Sequence, residues 1–281
     1  MDRKKRQKIQ KGVRITIQLA FLLLAPAVFT SAYAGVKYMF IQFASSQMLE
    51  WNAFLKALLG ICLFTILFGR FFCGYACAFG TLGDLLYMFS AFVQKKTKKK
   101  LPKIPEKVSS YARKIKYLVL AGVAVTCLLG IYDKFRRSSP WDVFSRLTSL
   151  QLPGRDYLVG IIILVVIMAG MMWEERFFCK YLCPMGAVFS LLPILPAALY
   201  RRERESCING CSACKRQCPV SLDIDGDGKD SGECIQCNQC LITCPKENIH
   251  TGIKVKGNEI WLVIGKAVVL LVVCFLLQLT R

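Results

Sequence analysis

Histidine occurs once, as His250, in a chain of 281 residues. A membrane cytochrome of the bis-histidine kind needs several histidines inside its helices, so that chemistry is excluded. Acidic residues are scarce, 18 against 38 lysines and arginines, leaving a net charge of +20. An excess of that size suits nucleic acid only when it is spread over a polar surface. Here the basic residues border long apolar runs, which is the pattern of membrane flanks, and a nucleic-acid partner is excluded. Neither a nucleotide-binding glycine loop nor a nucleophile–base pair is present, so substrate chemistry falls to a partner. What the chain does have is apolar surface, with 54% hydrophobic residues and a mean hydropathy of +0.43, and fifteen cysteines.

The apolar runs predict five crossings of a bilayer at Ile15–Tyr33, Ala53–Gly69, Tyr117–Tyr132, Tyr157–Trp173 and Ile260–Leu279. The first follows "MDRKKRQKIQKGVR", with seven basic residues and one acidic one. Ala32–Gly35 offers a signal-peptidase-like site, but the run is long for a signal peptide and is expected to be retained. Thr81–Val93 and Met185–Leu199 are too short or too proline-broken to cross and are expected in the interface. The segment "QKKTKKKLPKIPEK", with seven lysines, marks a cytoplasmic loop. The loop 133–156, with five basic and three acidic residues, is placed outside. Lys56 and Lys266 lie near span ends and are expected to snorkel. Cys62, Cys127 and Cys274, in mid-span, are expected to act as small hydrophobes.

Residues 201–258 are polar and hold eight cysteines in two runs. "CINGCSACKRQCPV" spaces them C-x3-C-x2-C-x3-C-P, and "CIQCNQCLITCPK" spaces them C-x2-C-x2-C-x3-C-P. The second spacing is the bacterial ferredoxin run, in which three thiolates hold one cubane and the fourth crosses to the other. This assigns Cys207, Cys211, Cys214 and Cys244 to one 4Fe–4S cluster, and Cys234, Cys237, Cys240 and Cys218 to a second. Zinc sites separate their cysteine pairs more widely and lack the paired prolines. Between the runs, Asp223, Asp225, Asp227 and Gly228 imitate the start of a calcium loop. The twelfth position is Cys234 instead of the required glutamate, so an acidic turn is expected.

A second pattern is repeated: "RFFCGYACAFG" from Arg70 and "RFFCKYLCPMG" from Arg176. Each follows an apolar run, so spans one and two and spans three and four form a tandem duplication that turns the two motifs toward each other. In a helical turn, cysteines at i and i+4 share a face. Cys73, Cys77, Cys179 and Cys183 would then form a third site, for an iron–sulfur centre or a soft ion such as copper(I). Arg70 and Arg176 are expected to snorkel to the phosphate layer.

Two membrane CxxxC turns with a cytoplasmic two-cluster ferredoxin resemble the NapH/NosR group of polytopic iron–sulfur membrane proteins, from about Arg14 through Ile249. That group usually closes the turn with proline; Pro184 keeps it, whereas Ala78 replaces it after Cys77. The resemblance implies an electron conduit between the quinol pool, or another membrane donor, and a partner redox protein, acting as a subunit and not as a self-contained enzyme. An accessory factor that supplies electrons or copper for maturing another metalloenzyme is the alternative.

The sequence thus predicts an α-helical polytopic membrane protein with a small ferredoxin-like module holding two 4Fe–4S clusters. A first membrane repeat spans 1–93, a basic loop 94–116, a second repeat 117–200, the ferredoxin module 201–258 and a last helix 259–281. Membrane lipid is an expected partner, and the N-terminus and module face the cytoplasm of the cell membrane.

Overall fold

The computed structural model describes residues 3–46, 48–99, 101–102, 104–222, 231–251 and 259–280. The acidic turn read at Asp223–Gly228 lies outside them.

The chain opens with α1, Arg3–Leu24, and resumes as α2, Val28–Ala44, bent from it by 63°. Pro26 sits at the break, where it withholds an N–H and its ring blocks a straight helix. The first span expected at Ile15–Tyr33 is therefore the middle of a longer, bent pair. The helix α3, Ala53–Phe68, returns along α2 and is started by Asn52, whose Oδ1 accepts from Leu55 N at 2.8 Å. The short α4, Phe71–Tyr75, makes the first cysteine turn. It leads into α5, Ala78–Thr97, longer than the interfacial segment expected there. After α6, Glu106–Ala112, the second half runs through α7, Ile115–Leu128, and α8, Tyr132–Arg136. Next come α9, Pro140–Thr148, and α10, Leu158–Trp173, and then α11, Phe177–Tyr181, and α12, Pro184–Leu191. The stretch 133–156, expected as a loop, holds α8 and α9. The helix α9 is capped by Ser139 and buries Val143 and Phe144.

Among the described residues one helix, Arg155–Trp173, is long and apolar enough to cross a membrane alone, and a second qualifies if the bent α1–α2 pair is one span. Ala53–Phe68 and Ile260–Leu276 are shorter apolar helices. The third crossing expected at Tyr117–Tyr132 is the 14-residue α7. The fold is thus mostly helical, with outward faces that stay apolar: Leu63, Leu118, Val166 and Phe275 are all more than half exposed.

The module begins and ends on a two-stranded antiparallel ribbon, β1, Tyr200–Arg202, and β2, Ile249–Thr251. Between them lie α13, Ala213–Arg216, and α14, Gln239–Thr243, and α15, Glu259–Leu276, follows. The helix α1 packs against α4, α5, α14 and α15, so the N-terminal helix binds module and bundle together. At its start Arg6 Nη1 meets Glu247 Oε1 at 2.6 Å.

The α2–α3 contact depends on Gly35. A Cβ there would stand 2.8 Å from Leu58 Cβ and against the Phe54 carbonyl. Gly35→Val is expected to cost about 1–3 kcal/mol by overpacking, read as a lower thermal midpoint of the detergent-solubilised protein. Gly12→Ala on α1, with nothing within 4 Å of the new methyl, is expected to leave the midpoint unchanged or raise it.

Candidate functional site

The two cysteine turns have one backbone shape. Cys73 lies within α4 and Cys179 within α11, while Cys77 and Cys183 stand just before α5 and α12 with φ/ψ of −69°/117° and −72°/112°. Cys77 N donates to Phe72 O and Cys183 N to Phe178 O, each at 2.9 Å. The turn is therefore not one continuous helix, as the i, i+4 reading assumed. The chain bends between the two cysteines, and the second caps the next helix.

The thiols still converge. All four are buried, and Cys183 lies within electrostatic reach of Cys179, Cys77 and Cys73. They stand as free thiols, and among the described residues no three thiol, imidazole or carboxylate groups close to metal-bonding distance.

Arg70 and Arg176 do not snorkel. Each is 1% exposed, and each crosses to the opposite repeat. Arg176 Nη1 donates to Cys73 O at 2.5 Å and Nη2 to Gly74 O at 3.2 Å. A Cβ on Gly80 would strike the Arg176 guanidinium, and one on Gly186 would stand 3.0 Å from Arg70 Nη2. The glycine repeated three residues after the second cysteine is thus the seat for the other repeat's arginine.

A buried guanidinium needs an acid. For Arg176 it is Asp84, whose Oδ2 accepts from Arg176 Nη2 at 2.6 Å, Arg14 Nη2 at 2.7 Å and Gln18 Nε2 at 2.7 Å. The corresponding place in the second repeat, seven residues after Cys183, is Ser190. There Glu233, from the module, takes the acid's role. Its Oε2 lies 3.2 Å from Arg70 Nη1, and its Oε1 pairs with Lys116 Nζ. Burial pushes the Glu233 carboxyl up, but Arg70 and Lys116 outweigh it and hold it below the usual glutamate range. Arg70 Nη1 also donates to Gly232 O at 2.9 Å.

The module's second run rests on the first turn. Tyr75 Oη donates to Cys237 O at 3.3 Å, and Gly74 has no side chain where the Ile235 carbonyl passes. Gln236 and Asn238 take left-handed backbone, φ 57° and 62°, winding the loop between Cys234 and Cys240. Gln236 Nε2 holds it by donating to Ala198 O at 2.6 Å. Lys266, expected to snorkel, instead points its Nζ to Gln236 Oε1 at 3.5 Å.

The cysteines of the module fall into two groups. Cys207, Cys211, Cys214 and Cys244 line one cavity, with Cys211 exposed. Arg202 Nη1 lies 3.3 Å from Cys214 Sγ and Asn248 Nδ2 3.9 Å from Cys207 Sγ, donors of the kind that tune a thiolate-bound cluster. Cys240 lies within electrostatic reach of Cys237, Cys234 and Cys218, and Cys237 joins the core that holds the turn thiols. Both sets have the four-thiolate composition a cubane requires. His250 sits on β2 beside Glu203. Cys127 and Cys274 are buried and Cys62 half-buried in the helices, and Lys56 is exposed.

Sequence reasoning passed over Asp84, Arg14, Lys116 and Glu233. A signal for the first was its place as the one acid inside an apolar run.

A family model described as a 4Fe-4S binding domain matches residues 53–100 and again 157–197, which hold the two turns and the helices that flank them. Among relatives, the uncharacterized protein MJ0750 of Methanocaldococcus jannaschii is 30% identical over 66% of this chain and 74% of that protein. Protein NirI of Paracoccus denitrificans is 26% identical over 62% of this chain and 25% of its own length. The regulatory protein NosR of Stutzerimonas stutzeri is 27% identical over 65% and 24%. No solved structure matches. The class these define is an iron–sulfur protein of electron transport. The chain belongs to the NosR/NapH-type family of membrane iron–sulfur electron-transport proteins.

Asp84→Ala would strand Arg14 and Arg176 in a buried site. The loss is expected at about 3–5 kcal/mol, as for one partner removed from a buried ion pair, read by thermal unfolding in detergent. Substitution of the exposed Asp156, paired with Arg137 at 3.2 Å, should change stability by less than about 1 kcal/mol.

Proposed function

We propose that the chain is a multi-pass membrane protein that carries single electrons between a membrane donor, a quinol, and a partner redox protein at the cytoplasmic face. In this reading the bent α1–α2 pair, α3, α7, α10 and α15 are the crossings. The shorter ones complete the apolar thickness with the turns and interface helices around them. Support comes from the exposed apolar residues on these helices and from the basic N-terminus lying beside the module, as Arg6 does beside Glu247.

Cys218, Cys234, Cys237 and Cys240 hold an inner 4Fe–4S cluster, and Cys207, Cys211, Cys214 and Cys244 an outer one. When bound, such clusters supply one-electron transfer at potentials set by hydrogen bonds to sulfur and by burial. The single observation that carries the reading is the grouping of the thiols. The four buried thiols of the turns share one packed core with Cys237, against which Cys218 and Cys234 rest, while Cys207, Cys211, Cys214 and Cys244 line a separate cavity with Cys211 exposed. Arg202 and Asn248 tune the outer site through their sulfur contacts, and Cys211 marks the edge at which a partner docks. Cys73, Cys77, Cys179 and Cys183 form a third redox or soft-metal site. Their burial keeps water from the thiolates, and Arg70 and Arg176 offset the negative charge such a site carries.

Iron and sulfide analysis of the purified chain tests this. About eight irons are expected from the module's two cubanes, and about twelve if the turns hold a third. Cys234→Ser or Cys240→Ser should remove the inner cluster's EPR signal. A chain without iron after anaerobic reconstitution would overturn the reading. Eight irons with no copper, unchanged by Cys73→Ser and Cys179→Ser, would remove the third site.

A further inference from the structure

The molecule has a cavity that the sites above do not use. It measures about 470 Å³, within the range of small-molecule sites. Its walls come from α5, the linker after it, the end of α10 and the module's first run, with Tyr87, Lys95, Trp173, Glu174, Glu175 and Arg216 among its lining residues. From this we infer that the cavity seats one aminophospholipid, whose phosphodiester lies between Lys95 and Arg216 and whose primary ammonium meets Glu175. The inference rests on the reading that the helices stand in a bilayer, and it does not depend on iron.

Three observations carry it. The first is the division of charge in the wall. Among the described residues, Lys95, Glu175 and Arg216 take part in no hydrogen bond or salt bridge. Glu174, by contrast, is engaged by Lys180 and by Tyr181, whose Oη donates to Oε2 at 3.0 Å. The wall therefore offers two cations and one carboxylate that the protein itself leaves unmatched. A headgroup with phosphate at one end and ammonium at the other answers both signs at once. A purely anionic headgroup would leave Glu175 facing a like charge.

The second is the setting of Glu175. It is half-buried, and burial pushes its carboxyl up. The arginines within its electrostatic reach, Arg14 and Arg176, both donate to Asp84. A carboxylate so placed gains most from a partner that brings charge and N–H groups together. A primary ammonium has three such groups and a quaternary one has none, so a choline headgroup fits poorly. The guanidinium of Arg216 suits phosphate for the matching reason, as a planar fork for paired oxygens.

The third is access from the lipid. On α5, Tyr87, Ala91, Gln94 and Lys95 line the cavity at helical spacing. Leu85, Met88, Phe89 and Phe92, on the adjacent face, are exposed. This stripe gives acyl chains an apolar track along α5 toward Lys95. Trp173 stands at the cavity, half exposed, with its Nε1 donating to Pro102 O at 2.8 Å, a tryptophan of the interfacial kind.

Lys95 belongs to α5 and Arg216 to α13 of the module. A phosphate held by both therefore ties the module to the helices.

The test uses the full chain, purified with its iron in detergent, and native mass spectrometry with phosphatidylethanolamine, phosphatidylglycerol and phosphatidylcholine of the same acyl chains. About one phosphatidylethanolamine per chain is expected, held at least about tenfold more tightly than either of the others. Lys95→Gln combined with Arg216→Gln should weaken that binding by at least about tenfold, and Glu175→Gln should abolish the preference over phosphatidylglycerol. The same lipid should raise the thermal midpoint of the wild type and not that of the double variant. All variants should keep the helical circular dichroism of the wild type, which shows that they fold. Equal retention of the three lipids, or unchanged binding in the double variant, would overturn the site while leaving the membrane reading standing. Equally tight binding of soluble glycerophosphoethanolamine would assign the cavity to a free phosphodiester and overturn the lipid. A chain that stays dispersed without detergent and takes up no lipid would overturn the membrane reading instead.

Discussion

Two arginines exchanged between repeats hold this structure together. A guanidinium far from water is tolerated only when acids and carbonyls surround it. Arg176 meets that demand in the first repeat through Asp84 and the carbonyls of Cys73 and Gly74. Because the same groups belong to the first cysteine turn, satisfying the charge also fixes how the two turns face. Glycines at 80 and 186 are the space this arrangement needs. The motif Arg-Phe-Phe-Cys-x-Tyr-x-Cys-x-x-Gly is therefore two halves of one joint, each written twice.

The joint is not symmetric, and its asymmetry explains where the module sits. The first repeat carries its own acid at Asp84; the second has Ser190 in that place and leaves Arg70 without one. Glu233 fills the gap, and the residue after it is Cys234. The position of the inner cysteine group is thus tied, one residue away, to a charge the two helical repeats do not satisfy alone. Tyr75 and Gly74 complete the seat on the other turn.

Much of this was legible beforehand, for definite reasons. Spacing led to the expected grouping of the module's cysteines, because the ferredoxin run permits few intervals. The repeated motif announced two equivalent turns. Span lengths were read less well. Hydropathy does not register that Pro26 breaks the first helix, or that α8 and α9 form within the polar stretch after α7, where only Ser139 and a few apolar residues signal them. The arginines were misread because a basic residue beside an apolar run is commonly a flank, and its burial depends on Asp84 and Glu233, which are distant in sequence. Glu233 could not have been chosen from its neighbours: it resembles one more acid in an acidic turn.

The contact between Arg6 and Glu247 joins residues 241 positions apart, and α1 also rests on α14 of the module. Because α1 precedes by more than 200 residues the loop it rests on, it is made long before its set of neighbours is complete. Gln10, Arg14 and Gln18 have Tyr75 and Asp84 as partners within the first third of the sequence, whereas Arg6 and the face against α14 are left for the last quarter. The closing of α1 over the rest of the molecule is therefore a late step of folding, set by the residues around α14 and Glu247.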